Sequence, residues 1–132
     1  MEKKDIAYMN TTVLAFLGDS VYETRVRKHV IDKGQVNADL LHKAAVRFVR
    51  ADAQAYALKV MMDELTEEEQ NLVKRARNKK ISTKPKNADP VIYKWATAFE
   101  ALVGFLYLSE DIERMEDRIS RAIALIEERK HE

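Results

Sequence analysis

Apolar residues recur at spacings of three and four along most of the chain, the period of a helix with one inward face. Leu14, Leu17, Val21 and Thr24 form the first such stripe. It lies in a helix that Asn10, Thr11 or Thr12 can cap and that runs to about Val30. Lys33-Gly34-Gln35 breaks it. Asn37 or Asp39 then opens a long helix to about Met62, with Leu41, Ala45, Phe48, Ala55 and Leu58 among its inward positions. Thr66-Glu67-Glu68-Glu69 has the form of a capping box and starts a third helix, continuing through Leu72, Val73 and Ala76. From Lys79 to Pro90 the chain holds both prolines with Ser82, Thr83 and Asn87. This reads as a loop, because each proline disfavours helix in the residue before it. A fourth helix is predicted from about Val91 to Leu108. A fifth runs from about Ile112 to Arg129, with Ile112, Met115, Ile119, Ile123 and Ile126 on one face. With no convincing strand and no internal repeat, the predicted fold is all-α, about five main helices in a single domain over residues 1–132.

Composition narrows the function classes. The chain has no Cys, which excludes disulfides, thiolate metal sites and a Cys nucleophile. The opening MEKKDIAYMN lacks an apolar signal core, and no apolar run reads as long enough to span a membrane. A cytoplasmic protein with no membrane partner is the expectation. The net charge of +1 conceals a segregation. Between Asn71 and Ala88 stand Lys74, Arg75, Arg77, Lys79, Lys80, Lys84 and Lys86, with no acid among them. Just upstream lie Asp63, Glu64, Glu67, Glu68 and Glu69. A local basic segment suits a polyanion partner; a solvated loop that balances the upstream acids is the plainer alternative.

The chemistry-bearing candidates are two acids inside apolar helical stretches: Asp19 in VLAFLGDSVY and Glu100 in WATAFEALVGFLYL. An unpartnered buried carboxylate costs several kcal/mol, so such groups are neutralised, paired or bound to a cation. Two of them on different helices suggest oxygen ligands converging on one hard metal ion. Internal salt bridges to Arg25, Arg47 or Lys94 are the alternative, and Glu23 is expected to pair with Arg27 one turn on. There is no phosphate-binding glycine loop, no HExxH and no GxSxG, and His29, His42 and His131 show no metal-site spacing.

The residues around the two acids carry a resemblance. Leu14-Ala15-Phe16-Leu17-Gly18-Asp19-Ser20-Val21 resembles the signature helix of ribonuclease III enzymes, and Thr97-Ala98-Phe99-Glu100-Ala101-Leu102-Val103-Gly104 resembles that family's second acidic motif. Leu41-His42-Lys43-Ala44-Ala45-Val46, Ala53-Gln54-Ala55, Arg77-Asn78 and Pro85-Lys86-Asn87 are similar to the shorter Mini-ribonuclease III branch, a catalytic domain without a double-stranded-RNA-binding domain. Two departures stand out. The family has a Glu where this chain has Ala15, and an Asp where it has Thr97.

The resemblance implies an α-helical homodimer that cleaves double-stranded RNA, one strand per subunit, leaving 5′ phosphates and 3′ hydroxyls. It implies Asp19 and Glu100 as catalytic metal ligands for Mg²⁺, with Mn²⁺ as substitute and Thr97 as a candidate to orient a metal-bound water. Phe16 maps to the dimer contact; a monomer core residue is the alternative. The branch's implied task is maturation of precursor large-subunit (23S) ribosomal RNA, with a ribosomal-protein helper left open. Lys74, Arg75, Arg77, Asn78, Lys79, Lys80, Lys84, Lys86 and Asn87 are the RNA-binding candidates, standing in for the missing domain. A non-catalytic helical RNA-binding or scaffolding dimer of the same fold is the competing reading, supported by Ala15 and Thr97. A helical module whose basic segment meets an acidic protein is a third.

Overall fold

In the computed structural model, residues 1–80 and 86–129 are described, and every regular element among them is helical. A short α1 (Lys3–Ala7), which the apolar pattern does not announce, leads into α2 (Thr11–Asp32). Asn10 is the cap, its side chain accepting from the Thr12 amide at 2.9 Å. Beyond the end of α2, Gly34 takes φ 95°, a left-handed conformation that glycine adopts without a Cβ penalty. Its amide donates to the Ile31 carbonyl at 2.9 Å.

The long helix expected from Asn37 to Met62 is two helices, α3 (Ala38–Val49) and α4 (Ala51–Met61). Arg50 turns the chain with φ −58° and ψ 144°. The turn lets α3 pack on α2 while α4 packs on the later helices α6 (Pro90–Leu108) and α7 (Ile112–Glu128). No Gly or Pro marks it, so the apolar pattern runs through it unbroken.

After a 3₁₀ turn at Met62–Glu64, α5 (Glu67–Asn78) begins with both halves of the expected capping box. The Glu69 amide donates to Thr66 Oγ1 at 3.1 Å, and the Thr66 amide donates to Glu69 Oε1 at 2.9 Å. Asp89 caps α6 through the amides of Val91 and Ile92, with Pro90 in the first turn where a missing N–H leaves no bond unmade.

α6 is the central helix, packed against α2, α4, α5 and α7. Ala98, Phe99, Ala101, Leu102, Val103, Phe105 and Leu106 are buried along it. By length and composition it could cross a membrane, with mean hydropathy 1.3, which corrects the expectation that no apolar run reaches that length. Lys94 and Glu100 interrupt the run and make it read shorter. Two inward assignments are also corrected. Thr24 is exposed and its hydroxyl donates to the Ser20 carbonyl at 2.9 Å. Ile112 is 45% exposed in the first turn of α7.

Ion pairs tie α7 to the start of α5. Glu69, 3% exposed, accepts from Arg114 Nη2 at 2.7 Å and Nε at 3.0 Å. Glu64 receives Arg118 at 2.9 Å and Arg121 at 3.1 Å. The guanidinium of Arg114 holds the Glu69 carboxyl below its usual range, although burial pulls the other way.

Candidate active site

The site is built on the crossing of α2 and α6, where the two backbones touch. A Cβ on Gly18 would lie 1.8 Å from the Glu100 carbonyl oxygen, and one on Gly104 would lie 2.0 Å from the Leu14 carbonyl oxygen. Only glycine permits this approach. Beside it, the Tyr22 and Phe99 rings meet edge to face at 4.8 Å, and the buried Tyr22 hydroxyl donates to the Phe48 carbonyl at 2.9 Å. The crossing is therefore held by main chain and a rigid aromatic pair.

Asp19 follows Gly18 on α2, and Glu100 is the residue whose carbonyl meets Gly18. The structure brings the two carboxyl groups into hydrogen-bonding contact. Burial pushes the Glu100 carboxyl up to about 9, and the hydrogen bond and negative charge of Asp19 push the same way; a hydrogen bond from Gln54 opposes them. In the ion-free protein Glu100 thus keeps its proton at neutral pH. The expected burial of both acids is corrected: Glu100 is partly buried, but Asp19 is exposed. The inward face of α2 is Leu14, Ala15, Gly18, Tyr22, Val26 and Val30, and Asp19 falls at its edge. Phe16, 82% exposed, and Val13, 49% exposed, also point out, so the apolar run around Asp19 is not all core.

The salt-bridge alternatives do not form. Arg25 pairs with Glu116, and Arg47 donates to the carbonyls of Ile126 and Glu127. Among the described residues no cation pairs with Asp19 or Glu100. Glu23 pairs with Arg27 at 3.3 Å, as expected.

Sequence reasoning gave no role to Gln54, which is 2% exposed on α4. Its Nε2 donates to the Val49 carbonyl at 3.0 Å, its amide also bonds Glu100, and its Oε1 is buried without a partner. The signal was a polar residue on an alanine-rich helix face. Thr97, one turn before Glu100, is partly buried, and Ala15, one turn before Asp19, is enclosed at 6% exposure. Among the described residues no group of three or more His, Cys, Asp or Glu could hold a metal. The groups that meet are two carboxylates, both hard oxygen ligands, with the Gln54 amide bonded to Glu100. That set fits Mg²⁺ or Mn²⁺, which take one or two carboxylates and fill the remaining positions with water and phosphate oxygens.

The basic candidates divide. Lys74, Lys80, Lys86, Asn78 and Asn87 are exposed, whereas Lys84 lies outside the described residues. Arg75 donates to the Met9 carbonyl at 3.2 Å, and Lys79 donates to Asn10 and to Thr12 Oγ1, pinning the end of α5 to the start of α2. Arg77 lies over the Trp95 ring, 5.0 Å from its centroid, and Lys59 lies 5.4 Å from the same centroid. Lys59 was not legible in the sequence because α4 and α6 meet only in the fold. The upstream acids do not neutralise this segment through Glu64 and Glu69, which are paired to α7.

Phe16, at 82% exposure, is not a core residue. His29 contacts Glu127 at 3.1 Å, and exposed His42 lines a groove of about 280 Å³ between α2 and α3 that contains neither acid. His131 lies outside the described residues.

Comparison with known proteins gives the family. The Ribonuclease III domain family matches residues 12–111. A Mini-ribonuclease 3 of Brevibacillus brevis is 51% identical over 94% of this chain and 92% of its own length. A Mini-ribonuclease 3 of Streptococcus pneumoniae is 42% identical over 93% and 98%. A crystal structure of a Fusobacterium nucleatum protein superposes with a TM-score of 0.81 at 35% identity, covering 91% of this chain and 96% of that one. With a match across most of its length, this chain belongs to the ribonuclease III domain family of RNA-cleaving nucleases.

Proposed function

We propose that this protein is a metal-dependent endoribonuclease that cuts double-stranded RNA, acting as a cytoplasmic homodimer in the maturation of precursor large-subunit ribosomal RNA. The observation that carries the chemistry is the contact between Asp19 and Glu100 across the α2–α6 crossing. Asp19 and Glu100 would hold Mg²⁺, with Mn²⁺ as substitute. When bound, the ion supplies Lewis-acid polarisation of a phosphodiester and an acidified water. Exposed Asp19 presents its carboxylate at the rim, where a phosphate arrives from solvent, while Glu100 fixes the inner side. Thr97, on the Glu100 helix one turn back, would orient a water. Cleavage leaves a 5′ phosphate and a 3′ hydroxyl.

The exposed lysines after α5, with Arg77 and Lys59 at Trp95, support a duplex-binding face. RNA duplexes hide their base edges in a deep, narrow groove, so phosphates, 2′-hydroxyls and shape carry recognition. Exposed Phe16 supports pairing of two copies through α2, and a two-fold dimer suits the two strands of a duplex. The reading is tested by incubating the protein with a long RNA duplex and Mg²⁺, with EDTA as control, and by characterising the product ends. Binding without cutting in Mg²⁺ and in Mn²⁺ would replace it with the non-catalytic RNA-binding dimer.

A further inference from the structure

We infer that Gln54 is a positioning residue for the divalent ion, its Oε1 accepting a hydrogen bond from a water of the ion's hydration shell. The inference rests on the two-carboxylate site proposed above and adds a third protein group to it.

Three observations carry it. Gln54 is 2% exposed, and buried side-chain amides satisfy their polar atoms in nearly all proteins. Its orientation is not arbitrary, because Nε2 must donate to the Val49 carbonyl, one of the last in α3, which the turn at Arg50 leaves without a helical partner. With Nε2 so fixed, Oε1 is the atom left over, enclosed and unpaired, on a side chain whose amide reaches Glu100. A buried acceptor without a donor costs roughly 1–3 kcal/mol, so once an ion displaces the Glu100 proton the position calls for a donor from outside the protein. A metal-bound water is a strong one.

The chemistry of the site favours an amide there. Ala15 and Thr97 leave two carboxylates, and a third acid would add repulsion that the ion-free fold must bear. An amide contributes an oxygen and a dipole without charge. Partners that hydrogen-bond the ligating groups of metal sites orient them, and their loss weakens metal binding by roughly 10–100-fold.

The plain alternative is that Gln54 only caps α3, and two substitutions separate the roles. Gln54→Met keeps length and volume but removes both the donor and the oxygen. Gln54→Glu removes the donor to Val49 and keeps an oxygen. Mn²⁺ binding to the RNA-free protein is followed by electron paramagnetic resonance of the free ion, alongside thermal melts in EDTA. The expected result is that Gln54→Met loosens Mn²⁺ by at least tenfold, whereas Gln54→Glu binds it as tightly as wild type or tighter despite a lowered melting temperature. Wild-type Mn²⁺ affinity in Gln54→Met overturns the inference, as does tenfold weaker binding in Gln54→Glu; if the Met variant does not fold, Gln54→Leu, which also lacks the oxygen, takes its place. Glu100→Gln separates this from the parent reading. Lost Mn²⁺ binding there, with Gln54→Met unaffected, removes Gln54 from the site and leaves the carboxylate pair standing. Unchanged Mn²⁺ binding in Glu100→Gln removes both.

Discussion

Gly18 and Glu100 meet through their backbones, so closely that a single methyl group at Gly18 would sit 1.8 Å from the Glu100 carbonyl oxygen. Because the obstacle is main chain rather than a flexible side chain, it cannot swing aside. Gly18→Ala is expected to destabilise the fold by about 3 kcal/mol, the upper end for overpacking, and Gly104→Ala similarly. Urea or thermal melts would measure it. A shift within about 0.5 kcal/mol for either would mean the helices separate readily, and the site geometry would lose its anchor.

Asp19→Asn and Glu100→Gln are each expected to abolish cleavage of duplex RNA in Mg²⁺ while preserving the helical circular dichroism spectrum. The amides keep the shape and remove the charge that holds the ion. Both should raise the melting temperature of the ion-free protein, since each relieves two acids in contact. Near wild-type cutting by either variant would exclude the proposed site.

The raised pKa of Glu100 sets a pH dependence for the ion-free protein. Its carboxyl titrates near 4.5 when unfolded and at about 9 when folded, so the native state holds the extra proton between those values. The stability this contributes is complete below about pH 4.5 and is lost as pH climbs toward 9. Melts in EDTA from pH 6 to 9 should show a falling midpoint in wild type and a flatter profile in Glu100→Gln. Parallel profiles would contradict the assignment.

How much of this could be read from the sequence depends on how local each feature is. The caps at Asn10, Asn37 and Thr66, and the break at Gly34, are legible because their chemistry acts within a few residues. The meeting of Asp19 with Glu100 is legible because each acid interrupts an apolar helix. The turn at Arg50 is not, since an ordinary residue makes it and only the packing of α4 on α6 demands it. Gln54 and Lys59 were missed for the same reason: their partners lie on other helices. The exposure of Asp19 is not legible, because Phe16 and Val13 lend apolar character to a face that leaves the core.

Phe16→Ala should weaken self-association by roughly 2–4 kcal/mol, the usual effect of truncating an aromatic anchor at an interface. Sedimentation would follow it. A wild-type monomer at micromolar concentration would argue against one subunit per strand.

Neutralising Arg77, Lys84 and Lys86 together should weaken binding to duplexes of any sequence. The slope of affinity against salt should fall by roughly one unit for each lost phosphate contact. Cleavage at saturating RNA should suffer less than binding. Trp95, the chain's single tryptophan, lies under Arg77, so its fluorescence should report the same titration. An unchanged salt slope would move the RNA contact to another face.

The ion pairs that fasten α7 to the start of α5 reach beyond stability. By occupying Glu64 and Glu69 with Arg114, Arg118 and Arg121, they withdraw those acids from the lysines that follow α5. At physiological ionic strength a charge is sensed over only about 8 Å. An approaching polyanion therefore meets the potential of the nearest face rather than the molecular total of +1. The protein can stay nearly neutral at a distance, avoiding indiscriminate long-range attraction, and become cationic only at contact distance.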